Sequence, residues 1–213
     1  MTRHRPGLPR TATLAALLLA AAGCGGFLAP RVDPSRFFVL SVRPAPDLDL
    51  PEWVRSRSYG VGPITLPDYL ERPSVVTRVS DSEIRPTHLD RWAEPIGKGV
   101  LRVLREDLRR CLDATRVIAF PWYASDRPDL AVSVDIQRLE REPSGSAYLV
   151  AHWTVRDPGT GANLLRGDTV ARREPPSPDE SGSVEAQSDL LMQLAREIAE
   201  GIATIPRARA SRR

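Results

Sequence analysis

The chain has 213 residues, 30 basic and 27 acidic side chains, a formal charge of +3 and 41% hydrophobic residues. That length suits one domain, and the near-balanced charge argues against a basic nucleic-acid-binding surface. Two Cys and three His are too few for a disulfide framework and offer little for a metal site.

The chain opens with Arg3, Arg5 and Arg10, no acid, and an apolar run from Ala12 to Ala22. A bilayer-spanning helix needs about 20 apolar residues, so this run is too short. A basic region, a short apolar region and the small residues Ala21, Ala22 and Gly23 make the layout of an export signal. Cys24 follows at once, and the stretch resembles the lipobox of a bacterial lipoprotein, with Ala21 where Leu is usual. In such signals the Cys becomes the mature N-terminus and carries acyl chains. Each buried CH₂ contributes about 0.8 kcal/mol, and two or more chains hold a protein firmly at a membrane surface. The division expected is a signal over 1–23, a lipidated tether over 24–34, one domain over 35–206 and a solvated, disordered basic tail over 207–213. Removing the signal leaves a formally neutral chain, and the four Arg of the tail leave residues 24–206 at −4.

The first strand expected is "SRFFVLSV" (35–42), rich in aromatic and β-branched residues. Residues 43–57, with three prolines and scattered charge, read as a loop. "SYGVGPITLP" (58–67) reads as a strand at an edge or with a bulge, because Pro63 cannot donate to a ladder. "SVVTRVS" (74–80) and a short "EIRPT" (83–87) form a hairpin around Asp81 and Ser82. Ile96, Val100, Val103, Leu104, Leu108, Cys111 and Leu112 recur at helical steps, with Pro95 near the first turn. Cys111 falls on the apolar face, where a buried thiol is expected. "TRVIAFP" (115–121) follows. Three strands over 129–142, 146–157 and 163–174, joined by tight turns, predict an antiparallel meander. Residues 175–182 read as a loop. A last helix runs from Val184 to Ile205, with Ser183 as N-cap and Pro206 as its stop. The fold class expected is α+β: a mostly antiparallel sheet with two main helices packed on one face.

Catalytic chemistry finds few candidates. His88 and His152 have no Cys or acid at ligand spacing, and no G-x-S-x-G turn exists. "YGVGPI" (59–64) lacks the third Gly of a dinucleotide loop and leads into a strand. The reading is therefore a non-enzyme with no metal and no cofactor. If the chain were a lipid-anchored enzyme, His152, Asp135 and Ser146 would be the residues to test. Two stretches, 67–84 and 88–108, carry large amphipathic groups beside loops, among them Tyr69, Arg72, Arg91 and Trp92. Such groups either close a sheet edge and a helix start or anchor a partner.

The order of elements resembles the PqiC/YmbA-type ABC-transport auxiliary lipoproteins. The residues carrying the resemblance are Cys24, the opening "FFVLSV", and Tyr69-Leu70-Glu71-Arg72-Pro73 before Val75-Val76-Thr77-Arg78. Arg91-Trp92-Ala93-Glu94-Pro95 leading into the helix, "DLAVSVDIQRLE" and the C-terminal helix complete it. The resemblance implies a non-catalytic lipoprotein subunit of an envelope lipid transporter. Its partners would be a periplasmic MCE-domain protein with its ABC permease and ATPase, and the membrane through acylated Cys24. Tyr69, Leu70, Arg72, Arg91 and Trp92 would be the partner-binding residues. By the same route come homo-oligomers and, from Gly25 after the Cys, an outer-membrane location facing the periplasm. An assembly lipoprotein of another envelope or secretion complex fits the anchor equally well.

Overall fold

The computed structural model describes residues 33–206. In chain order the elements are β1 (Arg36–Phe38), α1 (Glu52–Arg55), β2 (Ser58–Thr65), β3 (Ser74–Arg78) and β4 (Ile84–Trp92). After these come α2 (Ile96–Cys111), β5 (Arg116–Ala119), β6 (Leu130–Arg141), β7 (Ala147–Arg156), β8 (Asn163–Arg173) and α3 (Glu180–Ala203). Cys24 and the tail 207–213 lie outside the described residues.

Along β7, Leu149, Ala151, Trp153 and Val155 are buried and alternate with half-buried or exposed residues. A strand turns successive side chains to opposite faces, so the sheet has one core face and one open face. The buried stripes of α2 and α3 cover the core face and pack on each other. The α+β class with two main helices on one face is therefore as the sequence predicts. Trp153 sits between β8 and α3. Its indole lies against Gly167 and Gly201, where an added Cβ would fall 2.2 and 2.8 Å from ring atoms.

β6 is the hub of the sheet. β7 runs antiparallel along one edge, and β8 pairs antiparallel with β7. Along the other edge the sheet forks. The first half of β6 pairs in parallel with β2, which pairs in parallel with β5. The far end of β6 pairs with β3 at one position, Thr77 with Arg141, and the order continues to β4 and β1. The antiparallel ladders of β6, β7 and β8 are the longest, so the mixed sheet is mostly antiparallel.

Within β6, Val132, Val134 and Ile136 face the core, and so does Leu139, three residues on. A bulge reconciles the odd step: Ile136 opposes Ala151, while Arg138 opposes Val150 and Gln137 is the extra residue. The bulge leaves Arg138 and Glu140 on the open face.

Several boundaries differ from expectation. β1 is three residues, not eight, because only Arg36–Phe38 find a partner strand on β4. Residues 39–50 instead lie against the helices: Leu40 and Leu50 are buried, and Ser41 N–H donates to Ser188 Oγ at 3.1 Å. The stretch read as a loop contains α1, anchored by buried Val54. β2 is not an edge strand, since it lies between β5 and β6; its register shifts between Val61 and Ile64, which accommodates Pro63. β4 is nine residues long and carries Arg91 and Trp92 inside the strand. α3 starts at Glu180, with Asp179 rather than Ser183 as N-cap; Gly182 N–H donates to Asp179 Oδ1 at 3.0 Å. Cys111 is buried as expected, and burial pushes its thiol up to about 11.

Candidate functional site

The two amphipathic stretches meet. Residues 67–73 form a turn held by Leu70 N–H to Pro67 O at 2.9 Å and Arg72 N–H to Leu70 O at 2.7 Å. Leu70 is 1% exposed and pins this turn to the core. Ser74 opposes Arg91 across the β3–β4 ladder, and Trp92 N–H donates to Pro73 O at 2.7 Å. Pro95 then caps α2, and the Glu94 carboxylate accepts from Arg102 at 2.5 Å. The same guanidinium donates to Leu40 O at 2.9 Å, tying the helix start to the 39–50 segment.

Between this turn and the first turn of α2 lies a cleft of about 580 Å³. Ile64, Pro73, Trp92 and Pro95 supply its apolar surface, Arg72 and Lys98 bring positive charge, and Glu71 and Glu94 bring negative charge. Neither cation makes an ion pair among the described residues. With apolar walls and charges of both signs at its rim, the cleft can receive an amphipathic segment.

A second cluster braces the turn from the open face. Glu140 is fully buried, yet its Oε1 accepts from Arg78 Nε at 2.7 Å and Arg138 Nε at 2.8 Å. Its Oε2 accepts from Tyr69 hydroxyl at 2.9 Å and from Leu139 N–H at 3.1 Å. Burial, then the Glu140 charge, push the Tyr69 hydroxyl up to about 12. A buried charge persists only when its partners replace water, and here four donors do so.

The five partner-binding candidates thus take different places. Arg72 and Trp92 share the cleft, with Trp92 8% exposed. Leu70 is buried in the core and does not line the cleft, and Tyr69 belongs to the Glu140 cluster. Arg91 is exposed and lies opposite Phe37 in the β1–β4 register, on the face away from Trp92. Glu140 and Arg138 were not singled out, since Glu140 is completed by Tyr69 and Arg78, far from it in the chain; Arg78 and Glu94 stood in the stretches that carry the resemblance but with no role assigned. Lys98, the chain's one lysine, was legible as an oddity but reads from composition alone as codon bias.

His152 lies exposed on the open face with Nδ1 2.5 Å from Asp168 Oδ1. Sequence spacing missed this acid because the pair forms across the β7–β8 ladder. Among the described residues no group of three or more His, Cys, Asp or Glu could hold a metal ion, and no helix is long and apolar enough to cross a membrane.

A crystal structure of a Xanthomonas campestris protein of the DUF330 family superposes with a TM-score of 0.68. It is 16% identical, and the alignment covers 79% of this chain and 95% of the other. A second structure, of an uncharacterized protein, superposes at 0.65 with 17% identity over 79% of this chain and 98% of its own. At such identities the likeness establishes the shared fold. No curated protein matches the chain. Residues 38–199, which hold both stretches that line the cleft, match the model of the ABC-type transport auxiliary lipoprotein component, and the chain belongs to that family.

Proposed function

We propose that the protein is a non-catalytic subunit of an envelope lipid transporter, anchored through acylated Cys24 at the outer membrane and facing the periplasm. It docks a periplasmic MCE-domain protein, whose ABC permease and ATPase supply the energy elsewhere. Family membership supports the accessory role in ABC transport. The observation that carries the docking reading is the convergence of two distant stretches, 71–73 and 92–98, on one cleft. Its apolar surface, rimmed by Arg72 and Lys98 as well as Glu71 and Glu94, suits an amphipathic partner segment, and Trp and Arg are the residue types that dominate binding energy at interfaces.

The test is capture of full-length acylated protein from solubilised envelopes, beside an Arg72→Glu, Lys98→Glu variant. Wild type should bring down an MCE-domain protein with its permease, and the variant should lose both while folding normally. Capture of secretion or assembly components alone would overturn the proposal in favour of an assembly lipoprotein. Cys24→Ser should leave the fold intact and release the protein from membranes.

A further inference from the structure

Three of the large exposed apolar side chains gather at one edge of the sheet. Phe37 is 62% exposed, Val39 49% and Leu89 47%. β1 is the outermost strand at that edge, and its register sets Arg36 opposite Asp90, Phe37 opposite Arg91 and Phe38 opposite Trp92. Phe38 and Trp92 pack into the core. Phe37 and Arg91 therefore point to the open face; Val39 follows directly after β1 and Leu89 precedes the paired end of β4, so both exposed side chains lie at the same edge of the sheet. Arg91 has no ion pair among the described residues, whereas Arg36, on the other face, is held by Asp90 at 2.7 Å.

Exposed Phe, Val and Leu beside an unpaired Arg make the composition of an interfacial surface. The apolar groups enter the acyl boundary, while Arg extends its charge to anionic head groups. The position of the patch supports the same occupant. Cys24 stands eleven residues before Ser35, and that length of extended chain spans at most about 40 Å. An acyl anchor at Cys24 is thus joined to the domain at this edge, since β1 is the first strand among the described residues, and holds the edge within about 40 Å of the lipid surface.

We infer that the β1–β4 edge, through Phe37, Val39, Leu89 and Arg91, rests directly on an anionic phospholipid surface and sets how the domain faces the membrane. The inference rests on the acylation of Cys24. It does not depend on what occupies the cleft.

The test uses full-length acylated protein in vesicles of phosphatidylethanolamine and phosphatidylglycerol. Leu89→Cys carries an environment-sensitive fluorophore, and Val170→Cys, 62% exposed on the far edge strand β8, is the reference. Cys111 is buried and Cys24 is blocked by acylation, so labelling is selective. The Leu89 label should shift to the blue and be quenched by lipids spin-labelled near the head group, and the Val170 label should do neither. In the non-acylated Cys24→Ser chain, adding Phe37→Glu with Leu89→Glu should lower vesicle partitioning about tenfold or more. A Leu89 label that stays water-like on vesicle-bound, acylated protein overturns the inference and leaves the anchor standing. A blue shift that grows with protein concentration without vesicles also overturns it, assigning the edge to a second copy. An intact mass showing unmodified Cys24 overturns the anchor and the inference together.

Discussion

Replacing Glu140 with Ala removes a fully buried carboxylate and leaves Arg78, Arg138 and Tyr69 without their shared acceptor. Breaking a buried ion pair from one side costs about 3–5 kcal/mol, because the remaining charge is stranded. Here the Arg78 and Arg138 side chains keep 15% and 26% exposure, so water partly replaces the lost partner. That places the expected cost near the lower end, about 3 kcal/mol. With a urea m-value of about 2 kcal/mol/M, the unfolding midpoint should fall by about 1.5 M. In a domain of this size the same loss lowers Tm by roughly 6–12 °C. Tyr69→Phe removes one donor and should cost only about 1 kcal/mol. In a double-mutant cycle, Glu140→Ala and Arg78→Ala should couple by about 1 kcal/mol or more. The reasoning has a definite point of failure. The β3–β6 ladder has one paired position, Thr77 with Arg141, so the cluster should be what fastens β3, and the 67–73 turn before it, to the hub strand. A midpoint shift under about 0.5 M for Glu140→Ala would refute that assignment.

Asp107 is buried with Oδ1 accepting Arg43 N–H at 3.3 Å, and burial pushes its carboxyl up from 3.8 to about 7. The folded chain then retains a proton that the unfolded chain releases. Stability should therefore fall by up to about 1.4 kcal/mol per pH unit as pH rises from about 4 to 7, and Asp107→Asn should flatten that slope. Parallel pH profiles for wild type and variant would count against it. Gly167→Ala drives a methyl into the Trp153 ring and should cost about 1–3 kcal/mol, read by denaturant melts. Trp92→Ala should cost about 3–5 kcal/mol of stability, since the indole is core as well as cleft surface. The exposed Arg72→Ala should change stability by no more than about 0.5 kcal/mol while weakening partner capture. Equal losses of stability for the two would contradict their placement.

Sequence alone determined whatever repeats within a few residues. The α2 stripe from Ile96 to Cys111, the alternation in β6 and β7, the β3–β4 hairpin and the buried Cys111 are local periodicities, and one side of each element must be apolar to be buried. The arrangement from Arg3 to Cys24 that resembles a lipoprotein export signal is equally local in the sequence. Tertiary structure alone decided which strands are neighbours, because hydrogen-bonded pairing joins residues far apart and leaves no fixed spacing in the chain. Thus Pro63 pointed to an edge or a bulge, but the parallel partners that place β2 mid-sheet are β5 and β6. The amphipathic residues at 69–72 and 91–92 were conspicuous in sequence, yet their fates diverged. Consecutive strand residues face opposite ways, so β4 sends Trp92 to the core and cleft and Arg91 to the open face. Glu140 could not be recognised as buried from its neighbours. Its burial depends on a bulge at Gln137 and on donors from Tyr69 and Arg78, which only the folded sheet brings within reach.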